Sequence, residues 1–300
     1  SGGDHWGTDR TDTVDRYDRP WGFGNTIVAF YDPKSDTVTE AFAMGRESAI
    51  FSNAETPGHG KIHANILSDS QGNIWTAGYM GSSYDHEFAN AWYPKSYAGG
   101  AIVKYDPRAR QAEYFGVPAP FGGTVAMYLD EARQTVHGFS VDRGRYWRVN
   151  LKTRDCRHYE TNGRVGAREM IVDNNGRCYF ANEFDGLTRF DPDTETFEDL
   201  PITIPGLRAS VVSSRNIIYG ISAEGFLWSL DAKTLKVEEY GHLAGLPKER
   251  VYTPNIALDE EWGRLYMVAG GHGITLAGGL PILTIFDLRT GKFLWPGKID

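Results

Sequence analysis

The chain has 300 residues, 41% of them hydrophobic, with 31 Lys and Arg against 39 Asp and Glu for a formal net charge of −8. That balance argues against phosphate-backbone binding, which needs a basic face, and the ordinary apolar share excludes a largely disordered chain. No run approaches the ~18 apolar residues that span a bilayer, which excludes an integral helical membrane protein.

In chain order, residues 27–45 read as two outer strands of a first unit, and residues 1–26, charged and irregular, either provide its inner strands or leave it incomplete. The segment Ile27-Val28-Ala29-Phe30-Tyr31-Asp32-Pro33 then recurs as Ile102-Val103-Lys104-Tyr105-Asp106-Pro107 and as Leu187-Thr188-Arg189-Phe190-Asp191-Pro192. Weaker copies end at Asn150, Asp231 and Asp287, so the Asp or Asn positions are spaced by 74, 44, 41, 40 and 56 residues. A hairpin precedes each later copy, as in Asp69-Ser70-Gln71-Gly72-Asn73-Ile74-Trp75 and Asp173-Asn174-Asn175-Gly176. Glycine suits such turns because it accepts positive φ. A unit of about 42 residues with four short strands and no helical period is the signature of a β-propeller blade.

The reading is one all-β domain over 1–300, with complete blades at 62–116, 123–160, 167–200, 207–241 and 251–297. A partial N-terminal blade makes six, and seven is the alternative if the natural chain starts earlier. Cys156 and Cys178 fall on different strands and read as free thiols. No secretory leader precedes Asp4, which leaves the compartment open.

Three insertions, 46–61, 80–98 and 271–282, break the repeat. Strands alternate in direction. The connection into a blade's first strand and the loop between its second and third strands therefore emerge at the same end, so all three insertions are expected on one face. Ligand sites favour such a channel mouth. The residues leading into the first strands there include His59, His63, Arg168, Arg208, Tyr252 and Asn255. The insertions add Tyr84, His86, Trp92, Tyr93 and His272. His137, His158 and His242 sit within strands or outer turns and read as structural.

His, Tyr and Arg at one mouth suit eliminative cleavage of a uronic-acid glycan. A cation must neutralise the carboxylate, a base of near-neutral pKa must take the adjacent C–H proton, and an acid must protonate the leaving oxygen. Arg168 and Arg208 are the carboxylate forks. His63 is the candidate base, Tyr252 or Tyr84 the acid, with His86 or His272 assisting. Trp92 and Tyr93 would stack on sugar rings. The substrate class is a small molecule or oligosaccharide, with no nucleic acid or membrane partner and no cofactor. Two alternatives stay open: a non-catalytic glycan- or protein-binding propeller, and a metal-dependent lactonase-like hydrolase with a divalent cation near Asn255 and Glu169.

The units Asp69 to Trp75 and Gly99 to Pro107 resemble the virginiamycin B lyase-like (streptogramin lyase) propeller superfamily. The segment Gly60-Lys61-Ile62-His63, with a His-containing loop ending at Gly99-Gly100, is also similar to propeller polysaccharide lyases of the ulvan or rhamnose–glucuronate type. The resemblance covers about residues 57–297. It implies a paired His, a Tyr and an Arg at the mouth, for which His63 with His86, and Arg168, are the matching positions. A glycan lyase of this kind would be secreted or periplasmic.

Overall fold

A computed structural model describes residues 11–14, 20–24, 27–43, 61–79, 99–120, 122–140, 145–161, 165–182, 184–243, 255–269 and 282–298. Among these residues every regular element is a β-strand. The chain divides into two compact units, Ser1–Asn162 and Gly163–Asp300, each carrying three antiparallel sheets.

In the first unit, sheet one holds β1 (Thr11–Val14), β2 (Pro20–Gly24), β3 (Ile27–Asp32) and β4 (Thr37–Ala43) in that order. Sheet two holds β5 (Lys61–Ile62) and β6 (Leu67–Ser68), both paired with β7 (Ile74–Tyr79), then β8 (Ile102–Asp106) and β9 (Gln111–Gly116). Sheet three runs β10 (Thr124–Asp130), β11 (Thr135–Ser140), β12 (Arg145–Asn150) and β13 (Cys156–Glu160). In the second unit, sheet four is β14 (Val165–Val172), β15 (Cys178–Asn182), β16 (Leu187–Asp191) and β17 (Thr196–Asp199). Sheet five is β18 (Ala209–Val212), β19 (Ile217–Ile221), β20 (Phe226–Asp231) and β21 (Val237–His242). Sheet six is β22 (Asn255–Asp259), β23 (Arg264–Ala269), β24 (Ile282–Asp287) and β25 (Lys292–Lys298).

The expectation of a partial, irregular N-terminal blade is corrected. Residues within 1–26 supply β1 and β2, with Trp21 opposite Phe30, so the first sheet is complete. The strand pattern in Pro20-Trp21-Gly22-Phe23-Gly24 is an aromatic alternating with glycine, and the charged run before it hides that short period.

The Asp or Asn repeat has a local cause. In all six sheets the side chain at that position accepts a hydrogen bond from the backbone N–H two residues on, at 2.8–2.9 Å. The residue four positions on, Asp36, Arg110, Arg154, Glu195, Leu235 or Gly291, takes a left-handed φ of 50–66°. An Asx turn followed by a left-handed residue reverses the chain between third and fourth strands, which fixes the repeat. The preceding hairpins are pinned similarly. Asp69 accepts from the backbone of Gln71 and Asn73, the Asn73 amide and the Trp75 indole. Asp173 accepts from the backbone of Asn175 and Arg177 and from the Tyr179 hydroxyl.

Facing sheets bury apolar side chains between them. Val28 and Phe42 meet Ile62, Ile74 and Tyr105. Trp75 and Ile102 meet Met127, Val136 and Trp147. In the second unit Ile171 and Tyr179 meet Trp228 and Leu230, and Ile221 and Leu227 meet Leu265 and Phe286. Strands β7 and β11 are buried along their whole length, so both their faces are covered. Each large side chain so buried contributes roughly 1.5–3 kcal/mol. The first strands lie side by side where their contacts fall within one unit, β14 beside β18 and β18 beside β22.

Candidate functional site

First strands are irregular in four of the six sheets, all near their starts. In sheet two the register steps from Ile62 opposite Gly78 to Leu67 opposite Trp75. That is five residues against three, so the first strand is split and 63–66 leave the ladder. In β14 the step from Val165–Asn182 to Met170–Phe180 is five against two. In β10 and β1 one extra residue enters, between Thr124 and Ala126 and between Thr11 and Thr13. Such bulges re-aim side chains and concentrate beside active sites. The sequence candidates His63 and Arg168 fall inside the two largest of these irregular stretches.

In the first unit His63 is half-buried, and its ring lies 5.4 Å from that of Tyr79 at an interplanar angle of 49°. Tyr79 is itself buried and closes β7, where it pairs with Lys61. Its place depends on Gly123: a Cβ there would lie 2.5 Å from Tyr79 Cδ2, so only a glycine lets the ring approach that backbone. Gly123 thus seats Tyr79, and Tyr79 braces His63. Tyr79 was not a sequence candidate. The signal for it was its place at the last residue before the 80–98 insertion.

In the second unit Arg208 is 8% exposed and Glu169 7% exposed. The Ser210 hydroxyl donates to Glu169 Oε1 at 2.9 Å, which ties β18 to β14 beside Arg208. The Arg208 N–H donates to Ile221 O at 2.7 Å and fixes the approach to β18. Asp173, five residues after Arg168, serves the hairpin turn of sheet four. Asn255 opens β22 half-buried, and its Oδ1 accepts from the Ile256 N–H. Arg168 belongs to β14 by its backbone, and its side chain lies outside the described positions. His59, Tyr84, His86, Trp92, Tyr93, Tyr252 and His272 also lie outside the described residues, as do most of the three insertions. Among the described residues no three His, Cys, Asp or Glu side chains gather as a metal centre requires.

The three structural histidines behave as such. His137 is fully buried, with Nδ1 2.6 Å from the Tyr146 hydroxyl. Burial, followed by the nearby Arg148 charge, lowers its pKa to about 3. His242 Nε2 meets Glu224 O at 2.8 Å. His158 meets the Pro118 carbonyl, which also accepts from the Cys156 thiol. Both cysteines are free, and burial raises the Cys156 pKa to about 11.

Six antiparallel sheets, each with its strands in chain order, define the class: the fold is a β-propeller of six sheets. Among solved structures the chain is similar to virginiamycin B lyase from Staphylococcus aureus, with a TM-score of 0.65 at 11% identity, over 96% of this chain and 84% of that one. It is also similar to the extracellular domain of a protein named as a hybrid two component system from B. thetaiotaomicron, with a TM-score of 0.64 at 14% identity over 100% of this chain. This chain spans 34% of that structure's length. A third likeness, with a TM-score of 0.57 at 9% identity, is to a structure of the nidogen/laminin complex. No protein-family model and no curated protein matches the chain. At these identities the likeness is one of fold.

Proposed function

We propose that the chain cleaves a uronic-acid-containing glycan by β-elimination at the end of the sheets where the first strands start. The observation that carries the reading is the split first strand of sheet two, which takes His63 out of the ladder beside Tyr79. His63 takes the proton from the carbon next to the carboxylate. The electron pair forms the ring double bond, the glycosidic C–O bond breaks, and a tyrosine, Tyr252 or Tyr84, protonates the departing oxygen. Arg168 and Arg208 neutralise the carboxylate, whose charge grows as the proton leaves. Tyr79 positions His63.

The test is incubation with a panel of uronate glycans while the ultraviolet absorbance of the unsaturated product is followed. His63→Ala should lower turnover by about 10²–10⁴-fold with the fold intact. Arg168→Ala should reduce kcat/KM through the transition state more than it weakens ground-state binding. The second reading is a propeller that binds the same glycan without turning it over. The likeness to an extracellular domain of a two component system favours it. Tight binding with no product at any pH would establish that reading in place of the lyase.

A further inference from the structure

Two turns of the second unit share a construction that the proposed chemistry does not use. In sheet four, Asn182 ends β15 opposite Val165, at the start of β14. Its Oδ1 accepts from the N–H of Phe184 and of Gly186, each at 3.0 Å, and Asp185 between them is left-handed at φ 53°. The connection to sheet five clamps the turn again, because the Ile204 N–H donates to Asp185 O at 2.8 Å. Phe184 stands on this fixed turn 72% exposed. In sheet five the corresponding turn follows Ile221, which pairs with Ala209 beside Arg208. Ser222 Oγ accepts from the N–H of Glu224 and of Phe226 at 3.2 and 3.1 Å, and Gly225 is left-handed at φ 88°. Phe226 is 38% exposed, with its ring edge-on to His242 at 5.2 Å.

A large apolar ring held in water costs solvation free energy, and the clamped backbone removes the freedom that would let it fold away. Each ring stands at the sheet end where the strand carrying, or following, one of the arginines begins. Polar or charged residues share or flank both turns: Asn182 and Asp185 at one, Glu224 and His242 at the other. A protein interface needs a contiguous apolar patch, which one ring among polar groups is not. A pyranose ring fits better, since it has an apolar C–H face and a polar rim.

We infer that Phe184 and Phe226 are sugar-stacking subsites flanking the arginine-bearing strand starts, and that the ligand is a polymer reaching across consecutive sheets. This rests on the acidic-glycan reading and names the extent of its ligand.

The experiment is direct binding, by calorimetry and affinity electrophoresis, of uronate polysaccharides and of the matching disaccharides. Phe184→Ala should weaken polymer binding about 3–10-fold, the range of one aromatic contact. Its effect on the disaccharide should be smaller, and Phe184→Trp should restore the polymer affinity. The melting temperature should hold, because so exposed a side chain carries little stability. Equal polymer affinity of Phe184→Ala and the unmodified protein overturns the inference and leaves the acidic-glycan reading standing. An equal loss on polymer and disaccharide overturns the polymer claim. If the unmodified protein binds no member of the panel, the acidic-glycan reading falls and this inference falls with it.

Discussion

Gly220 and Trp228 face each other across β19 and β20, and the approach is so close that a single methyl group should be felt throughout the second unit. A Cβ on Gly220 would lie 2.1 Å from Trp228 Cζ2, 2.4 Å from Cε2 and 2.7 Å from Cη2. Carbon atoms rest at about 3.5–4.0 Å, so the indole must retreat by more than ~1 Å. It has nowhere to go, being fully buried between sheets four and five. Its Nε1 donates to Gly206 O at 2.7 Å, and a shift of that size breaks the bond. Overpacking costs roughly 1–3 kcal/mol and a stranded indole N–H about 1–3 more. Relief of glycine's chain entropy returns about 0.5–1 kcal/mol. The net expectation for Gly220→Ala is a loss of about 1–5 kcal/mol, read from urea unfolding followed by circular dichroism. Trp228→Phe removes both the clashing ring and the donor, so the double variant should be less damaged than the sum of the singles by more than ~1 kcal/mol. A Gly220→Ala protein within about 0.5 kcal/mol of the original, or strict additivity with Trp228→Phe, would show that the ring does not lie on that backbone.

The same arrangement in sheet three, with a Cβ on Gly138 reaching to 2.0 Å from Trp147 Cζ2, predicts a comparable loss for Gly138→Ala by the same measurement. At Gly291 nothing lies within 4 Å of an added Cβ and φ is 66°, so Gly291→Ala isolates the left-handed penalty at about 1–2 kcal/mol. The converse change, Arg110→Gly, should stabilise by roughly 0.5 kcal/mol on the same denaturation curves. Backbone amides hold the carboxyls of Asp191, Asp231 and Asp287 below their usual 3.8. Their support is therefore complete above the unfolded titration and is lost as pH falls below 3.8; the urea midpoint should drop there, and less steeply in Asp231→Asn. His137 has the opposite charge change: its folded pKa of about 3 lies under an unfolded 6.5, so stability is full above 6.5 and declines from 6.5 toward 3 as the unfolded chain gains the proton. His137→Gln should flatten that decline, and an unchanged slope would mean that the imidazole is not buried neutral.

The repeat was legible because its signal is local. An Asp or Asn caps its own turn within four residues, and positions 32, 106, 150, 191, 231 and 287 all do so in the structure. The strands of residues 11–24 were not legible, because they are short and their aromatic–glycine alternation lies among charges. The site was legible in part. His63 was found by its place ahead of a first strand, but the split of that strand into β5 and β6 is a pairing with β7 across the hairpin, which no local pattern announces. Tyr79 stands just before the 80–98 insertion, but its seat against Gly123 on the neighbouring sheet is a contact between residues 44 positions apart in the chain, which no local pattern announces. Phe184 reads in sequence as one more aromatic two residues before a glycine; its exposure follows from the clamp by Asn182 and Ile204.

The six Asx turns have a consequence for handling the molecule. They lie at the end of each sheet opposite the first-strand starts, since a third-to-fourth-strand reversal and a second-to-third-strand loop emerge at opposite ends. Their tips, such as Lys34, Arg108, Lys152 and Lys233, are exposed and project from short hairpins. A fluorophore, a surface tether or an inserted peptide placed at any of them would leave the opposite end of that sheet unobstructed. Six equivalent sites allow the geometry of attachment to be varied while the chemistry of the linkage stays the same.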